Sequence, residues 1–111
     1  MRAMNDVITL LVRGTNYVNA IAQETTIQKS ECFARIESVK RSEFYEADRV
    51  GVKLALSVYV NYEDFKAAAV VKEGGKKIFP SMVKMDSDMY RIYRTYRADD
   101  DEIELILQEV E

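Results

Sequence analysis

Apolar positions in this chain come in short bursts, broken by polar and glycine-containing stretches, and that spacing predicts strands more than helices. The 7–12 run is the first strand. Both of its alternate sets, Val7/Thr9/Leu11 and Ile8/Leu10/Val12, are largely apolar, so either both faces are covered or one face meets another chain. Residues 15–22 predict a loop. Residues 24–29 and 32–39 predict a strand pair or one long bent strand, because Thr25, Thr26, Ile27, Phe33 and Ile36 favour extended backbone. Residues 54–60 alternate cleanly, with Leu54, Leu56, Val58 and Val60 on one side and Ala55, Ser57 and Tyr59 on the other, as in a half-buried strand.

One segment reads as a helix, residues 42–50. Ser42 is placed to cap it, Glu43 lies in the first turn, Arg49 in the last, and Gly51 can supply the residue beyond its end. Phe44, Ala47 and Val50 are spaced to share a face. The 66–72 stretch is ambiguous. Its alanines favour helix, but Val70-Val71 followed by Gly74-Gly75 suits a strand entering a hairpin turn, and strand is the reading adopted. Pro80-Ser81 marks a turn and residues 82–85 a short edge strand. The last third predicts a β-hairpin: a strand over 90–97, an acidic turn, and an apolar, acidic strand over 103–110. Several short strands and one helix give a mainly β fold, a small antiparallel β-barrel or sandwich with one short α-helix in a long loop. No repeat, linker or low-complexity segment divides the chain, so residues 1–111 form a single domain.

Composition narrows the function. The net charge is −3, against bulk-charge binding of nucleic acid. Charge is unevenly placed: Lys76, Lys77, Lys84, Arg91, Arg94 and Arg97 precede an acidic block of Asp99, Asp100, Asp101, Glu102, Glu104, Glu109 and Glu111. Such blocks can satisfy each other or meet a neighbouring subunit. With no histidine, Cys-His and Ser-His catalysis and histidine metal sites are excluded. The single cysteine, Cys32, reads as a small apolar residue. Residues 1–6 lack the apolar core of a signal peptide, and the apolar runs are too short to span a bilayer, so a cytoplasmic start is expected and no membrane partner.

No constellation points to an enzyme. In the 90–97 strand, Tyr90, Ile92, Arg94 and Tyr96 make the better core face, which leaves Arg91, Tyr93 and Arg97 outward. Outward Tyr and Arg are compatible with a solvated strand, a protein contact, or base stacking of the kind OB-like single-strand binders use. Asp99-Asp100-Asp101 lacks the spacing and glycine of a calcium loop. Glu43, Glu46 and Asp48 show no convergence on a cleft of the kind a glycosidase pair needs. The 72–77 segment lacks P-loop spacing. No cofactor is implied.

Three segments together resemble a known family. Asn5-Asp6-Val7-Ile8-Thr9-Leu10 is similar to the opening strand of tailed-bacteriophage head-closure proteins, also called head–tail joining proteins, adaptors or stoppers. The 38–47 segment, Ser38-Val39-Lys40-Arg41-Ser42-Glu43-Phe44-Tyr45-Glu46-Ala47, continuing to Gly51, resembles that family's strand-to-helix signature, and Tyr90-Arg91-Ile92-Tyr93-Arg94-Thr95-Tyr96 with Ile103-Glu104-Leu105 its closing hairpin. The resemblance implies a small barrel with a helix-bearing excursion. It also implies a structural virion protein at the head–tail interface, assembled in the host bacterial cytoplasm, with no chemistry of its own. Its partners would be other copies of itself in a ring, the portal or adaptor, a tail-completion protein, and packaged double-stranded DNA passing through without being read. On that reading Arg91, Tyr93, Arg97, Val7, Thr9 and Leu11 are interface candidates. Asp48, Arg49, Val50, Val52 and Lys53 form a candidate channel-facing loop. Asp99, Asp100 and Asp101 are candidates for DNA-channel or docking contact. The 71–89 segment, with Pro80, Met82, Met85 and Met89, departs from the family pattern and reads as an extra contact element. The alternative function is an OB-like single-stranded nucleic-acid-binding module.

Overall fold

A computed structural model describes residues 3–110. Met1 and Arg2 of the 1–6 segment, and Glu111 of the acidic block, lie outside the described residues. The elements in chain order are β1 (Asp6–Val18), β2 (Ile21–Glu37), α1 (Arg41–Arg49), β3 (Leu54–Asn61), α2 (Tyr62–Ala67), β4 (Val70–Val71), a 3₁₀ turn (Glu73–Gly75), β5 (Lys77–Ile78), β6 (Met82–Met85), β7 (Asp88–Arg97) and β8 (Glu102–Glu109). Six strands close into an antiparallel barrel in the order β1-β2-β3-β8-β7-β6, and β4 and β5 form a separate small hairpin. The alternation of apolar residues dictates the interior. Ile8 and Leu10, Ala34, Val58 and Val60, Val83, and Ile103, Leu105 and Leu107 point into one core. Closure removes the exposed edges that an open sheet of these strands would leave.

Residues 15–22 are not a loop. β1 continues to Val18, and a two-residue turn at Asn19 (φ 53°) and Ala20 (φ 64°) leads directly into β2. Positive φ at both positions is the type I′ geometry that matches hairpin twist. The 24–29 and 32–39 segments are one long strand ending at Glu37. β3 pairs with β2 only along Ala34–Glu37, and β6 with β1 only along Thr9–Leu11. The hairpin beyond Arg13 and Thr26 therefore projects as a two-stranded arm. The molecule's longest dimension is 44 Å.

In the 66–72 stretch, Lys66 and Ala67 end a short helix that the strand reading did not anticipate, while Val70–Val71 form the expected strand and pair with β5 in a hairpin. α2 starts at Asn61, whose Oδ1 accepts the Glu63 N–H at 2.9 Å, and its first turn carries Glu63 and Asp64. The signal lies upstream of the alanines, in a cap and acidic first turn. Phe65 and Ala68 are buried at the end of the barrel, and Gln28 Nε2 donates to the Ala68 carbonyl at 2.9 Å. Only Val70–Val71 is extended. Residues 82–85 are not an edge: β6 pairs with β1 on one side and β7 on the other. Met82 is buried and Met85 packs on the core, so these two methionines are covered within the chain and are not an adaptable surface.

In α1, Ser42 lies inside the helix. The N-cap is Lys40, which contributes no side-chain hydrogen bond. The other end behaves as expected. Gly51 (φ 84°) donates to the Asp48 carbonyl at 3.0 Å and Val52 to that of Ala47 at 2.9 Å, a Schellman closure. Ala47 and Phe44 face the barrel, but Val50 is 73% exposed and does not share their face. A second apolar cluster, Ala47, Leu54 and Ile106 with Val39, Phe44 and Val52 against it, glues α1 to the outside of the barrel. A register shift between Leu54 and Leu56 turns Leu54 outward to join it, so the clean alternation of β3 is broken at its start.

Candidate assembly surfaces

The β7–β8 hairpin forms as expected, but its faces do not. Ile92 pairs with Leu107 and Arg94 with Ile106, so Tyr93 is an extra, bulged residue. Because paired residues share a face, Tyr90 and Ile92 point inward with Leu107. Beyond the bulge, Arg94 and Tyr96 turn outward with Ile106 and Glu104. Arg97 falls on the other face, opposite Ile103. The bulge separates the outward trio expected from sequence. Arg91 is exposed on the outer side, Tyr93 is 42% exposed at the bulge, and Arg97 lies over the Tyr62 ring at 3.7 Å.

Arg94 serves the α1 excursion. Its guanidinium donates to both Glu43 carboxylate oxygens and lies 3.7 Å from Glu104 Oε1. These carboxylates raise its pKa, the hydrogen bond to Glu43 most. Glu104 Oε2 also accepts from Ser57 Oγ at 2.6 Å and from Tyr59 Oη at 3.1 Å. Burial, then the Glu104 charge, pushes the Tyr59 phenol above its usual range. The sequence reading missed this outer polar cluster because the bulge that assembles it has no residue signature.

The loop candidates close back onto the barrel. Asp48 and Lys53 form an ion pair, the Asp48 carboxylate holds the Lys53 ammonium above its usual range, and the Glu109 N–H donates to the Lys53 carbonyl at 2.9 Å. Val52 packs in the α1 cluster, while Arg49 and Val50 are exposed. The structure thus brings two predicted sets together: Val52 and Lys53 line a shallow groove of about 400 Å³ with Arg91, Gln108 and Glu109.

On β1, Val7 is exposed and pairs with exposed Phe33 across β2, making a two-residue apolar patch on the outer face that sequence reasoning half found. Thr9 is half-buried. Leu11 is 2% exposed within the single chain and is not available to a partner.

The acidic turn is an organised cap. Asp99 Oδ1 accepts the N–H groups of Asp101 (2.7 Å) and Glu102 (2.8 Å), and Arg97 donates to the Asp99 and Asp100 carbonyls. The Asp101 carbonyl accepts the Tyr62 N–H at 2.7 Å, joining the turn to α2. Among the described residues no group of three acids, cysteines or histidines is placed to hold a metal ion. Beside this turn, Tyr62, Phe65, Phe79, Pro80 and Tyr96 line an apolar groove of about 620 Å³, with Phe65 and Phe79 stacked at 5.8 Å.

These features define a small closed antiparallel barrel with a helix strapped to its outside and a projecting hairpin arm. No protein-family model matches the chain, and no curated protein matches it.

Proposed function

We propose that this chain is a structural subunit of a phage or prophage head–tail connector. It assembles as a ring below the portal or adaptor, closes the DNA-filled head and gives the tail a platform. The observation that carries this reading is the β2–β3 connection. It carries α1 on the outside of a closed barrel, and this is the architecture that the resemblance of the 38–51 segment implies. The groove shared by Lys53 and Arg91 supports it further, since it brings the excursion and the closing hairpin to one outward surface where polar and charged side chains can fix the register of a neighbour. The function is assembly, with DNA retained by steric closure.

The test is reconstitution. Purified, folded protein is added to DNA-packed heads that lack it, and DNA retention and tail joining are scored. Retention and joining are expected; heads that stay leaky and tail-free would end this reading. The OB-like alternative rests on one open face shared by Arg91, Tyr93 and Arg97; Arg91 and Tyr93 are exposed, but Arg97 lies on the other face of the strand over the Tyr62 ring, which favours the connector reading.

A further inference from the structure

The arm is a two-stranded ribbon running past the barrel, and nothing among the described residues covers it. Isolated two-stranded hairpins are marginal in water, and a third strand is the usual remedy. Its tip exposes Tyr17 (70%) and Ile21 (63%). The two-residue turn makes Val18↔Ile21 the first ladder pair, so Asn16↔Gln23 and Gly14↔Thr25 bond within the hairpin. The backbone groups of Arg13, Thr15 and Tyr17 on β1, and of Ala22, Glu24 and Thr26 on β2, then turn outward along two strand edges, on which the Tyr17 N–H donates locally to Asn16 Oδ1 at 3.0 Å. Free edges are normally protected by charge or proline. Residues 14–23 contain neither.

We propose that arms of two copies of this chain pair edge to edge, the β1 edge of one against the β2 edge of the next. Charge selects this pairing. The only charged residue in the β1 half of the arm is Arg13, and the only one in residues 21–26 is Glu24. Arg13 opposes Thr26 and Thr15 opposes Glu24, which places Arg13 and Glu24 on one face of the ribbon; Arg13 Nη1 donates to Thr26 Oγ1 at 2.5 Å, which leaves Nη2 for an acid across the edge. When two arms point the same way, the β1 edge of one runs antiparallel to the β2 edge of the other. At level register, Arg13 is then diagonal to the neighbour's Glu24, within reach of a long side chain. Pairing β1 with β1 brings no acid to Arg13, and pairing β2 with β2 brings no base to Glu24. The contact is heterologous, and repeated around an axis it closes a ring. It rests on the connector reading only for the premise that copies meet.

In a Cys32→Ser background, Thr15→Cys and Ala22→Cys proteins, both of which keep Arg13 and Glu24, are made separately, mixed at high concentration and treated with a short bis-maleimide. Cross-linked product is expected several-fold above either variant alone, and adding Tyr17→Lys to both should abolish it. Product formed equally by the unmixed variants overturns the proposal, and so does no product from variants whose thermal melts show them folded. Absent cross-linking with normal head completion would sink arm pairing alone; the reverse would sink the connector reading alone.

Discussion

Arg94 in β7 grips Glu43 in α1 through two hydrogen bonds, Nε to Oε2 at 2.5 Å and Nη2 to Oε1 at 2.8 Å. The two residues lie on different elements, and the pair fastens the helical excursion to the barrel. The grip depends on the bulge at Tyr93, since unbroken alternation would aim Arg94 into the core. Both side chains are partly exposed, which moderates the pair's worth. Arg94→Ala is expected to lower stability by about 1 kcal/mol. It should also speed amide hydrogen exchange in residues 41–49 while β3 and β8 keep their protection. Uniform loss of protection across the barrel would contradict a local fastening role.

Glu102 and Arg35 make a second, more enclosed pair across the barrel wall. Arg35 Nη1 and Nη2 donate to the two Glu102 oxygens at 3.0 and 3.1 Å, Glu37 takes the Nε hydrogen at 2.7 Å, and the guanidinium lies over the Tyr59 ring at 4.3 Å. The Glu102 hydrogen bond is the main cause that raises the Arg35 pKa. Glu102→Ala leaves the cation with Glu37 and the Tyr59 ring alone, so a loss of about 2–3 kcal/mol is expected by urea unfolding. Replacing both residues, as in Arg35→Met with Glu102→Leu, should cost less than Glu102→Ala alone. A double variant as unstable as the single would show that packing and not charge pairing decides the site.

Ala20 holds φ at 64° in the hairpin turn, where an L side chain is disfavoured by about 1 kcal/mol. Ala20→Gly gives the Asn-Gly pair that type I′ turns prefer, partly offset by the looser unfolded chain. The expected gain is about 0.5 kcal/mol in the thermal melt, with the arm's ladder unchanged by NMR. A loss of stability would mean that the tip does not occupy this turn.

That alanine explains why the arm was hard to read in the sequence. Asn19-Ala20 lacks the glycine that flags a tight hairpin, and polar residues interrupt both arm faces, so no apolar alternation identifies residues 13–23 as strand, whereas 24–29 was legible from its β-branched residues. Strands with an interior side were legible, because Ile8/Leu10, Val58/Val60 and Ile103/Leu105/Leu107 must alternate to fill the barrel. The helix end at Gly51 was legible for the same local reason, a positive φ that only the Schellman closure explains. The outward surfaces were not. Bulges at Tyr93 and near Ala55 reverse the facing of Arg94, Tyr96 and Leu54, and a bulge is set by closure of the whole sheet. The closing role of β6 is likewise a property of the tertiary fold.

Cys32 gives the fold a titratable reporter. Its side chain packs against the core beside Ile8, its partner on β1. Burial, with the Asp64 charge adding to it, pushes the thiol from 9.0 up to about 11. The neutral thiol is the form the fold favours. Between those two values the unfolded chain has released the proton while the folded chain keeps it, so stability falls as pH rises through that window and is unaffected below it. The Tyr59 phenol, also raised, acts in the same direction at higher pH. Urea unfolding across this range should show a steeper alkaline decline for the native sequence than for Cys32→Ala, whatever the variant's lower baseline. At about pH 8, a two-unit rise leaves the thiolate fraction roughly a hundredfold below that of an unburied cysteine, and labelling by a chromogenic aromatic disulfide should slow accordingly. Labelling as fast as in urea-unfolded protein would place Cys32 outside the core and remove the cause assigned to its shift.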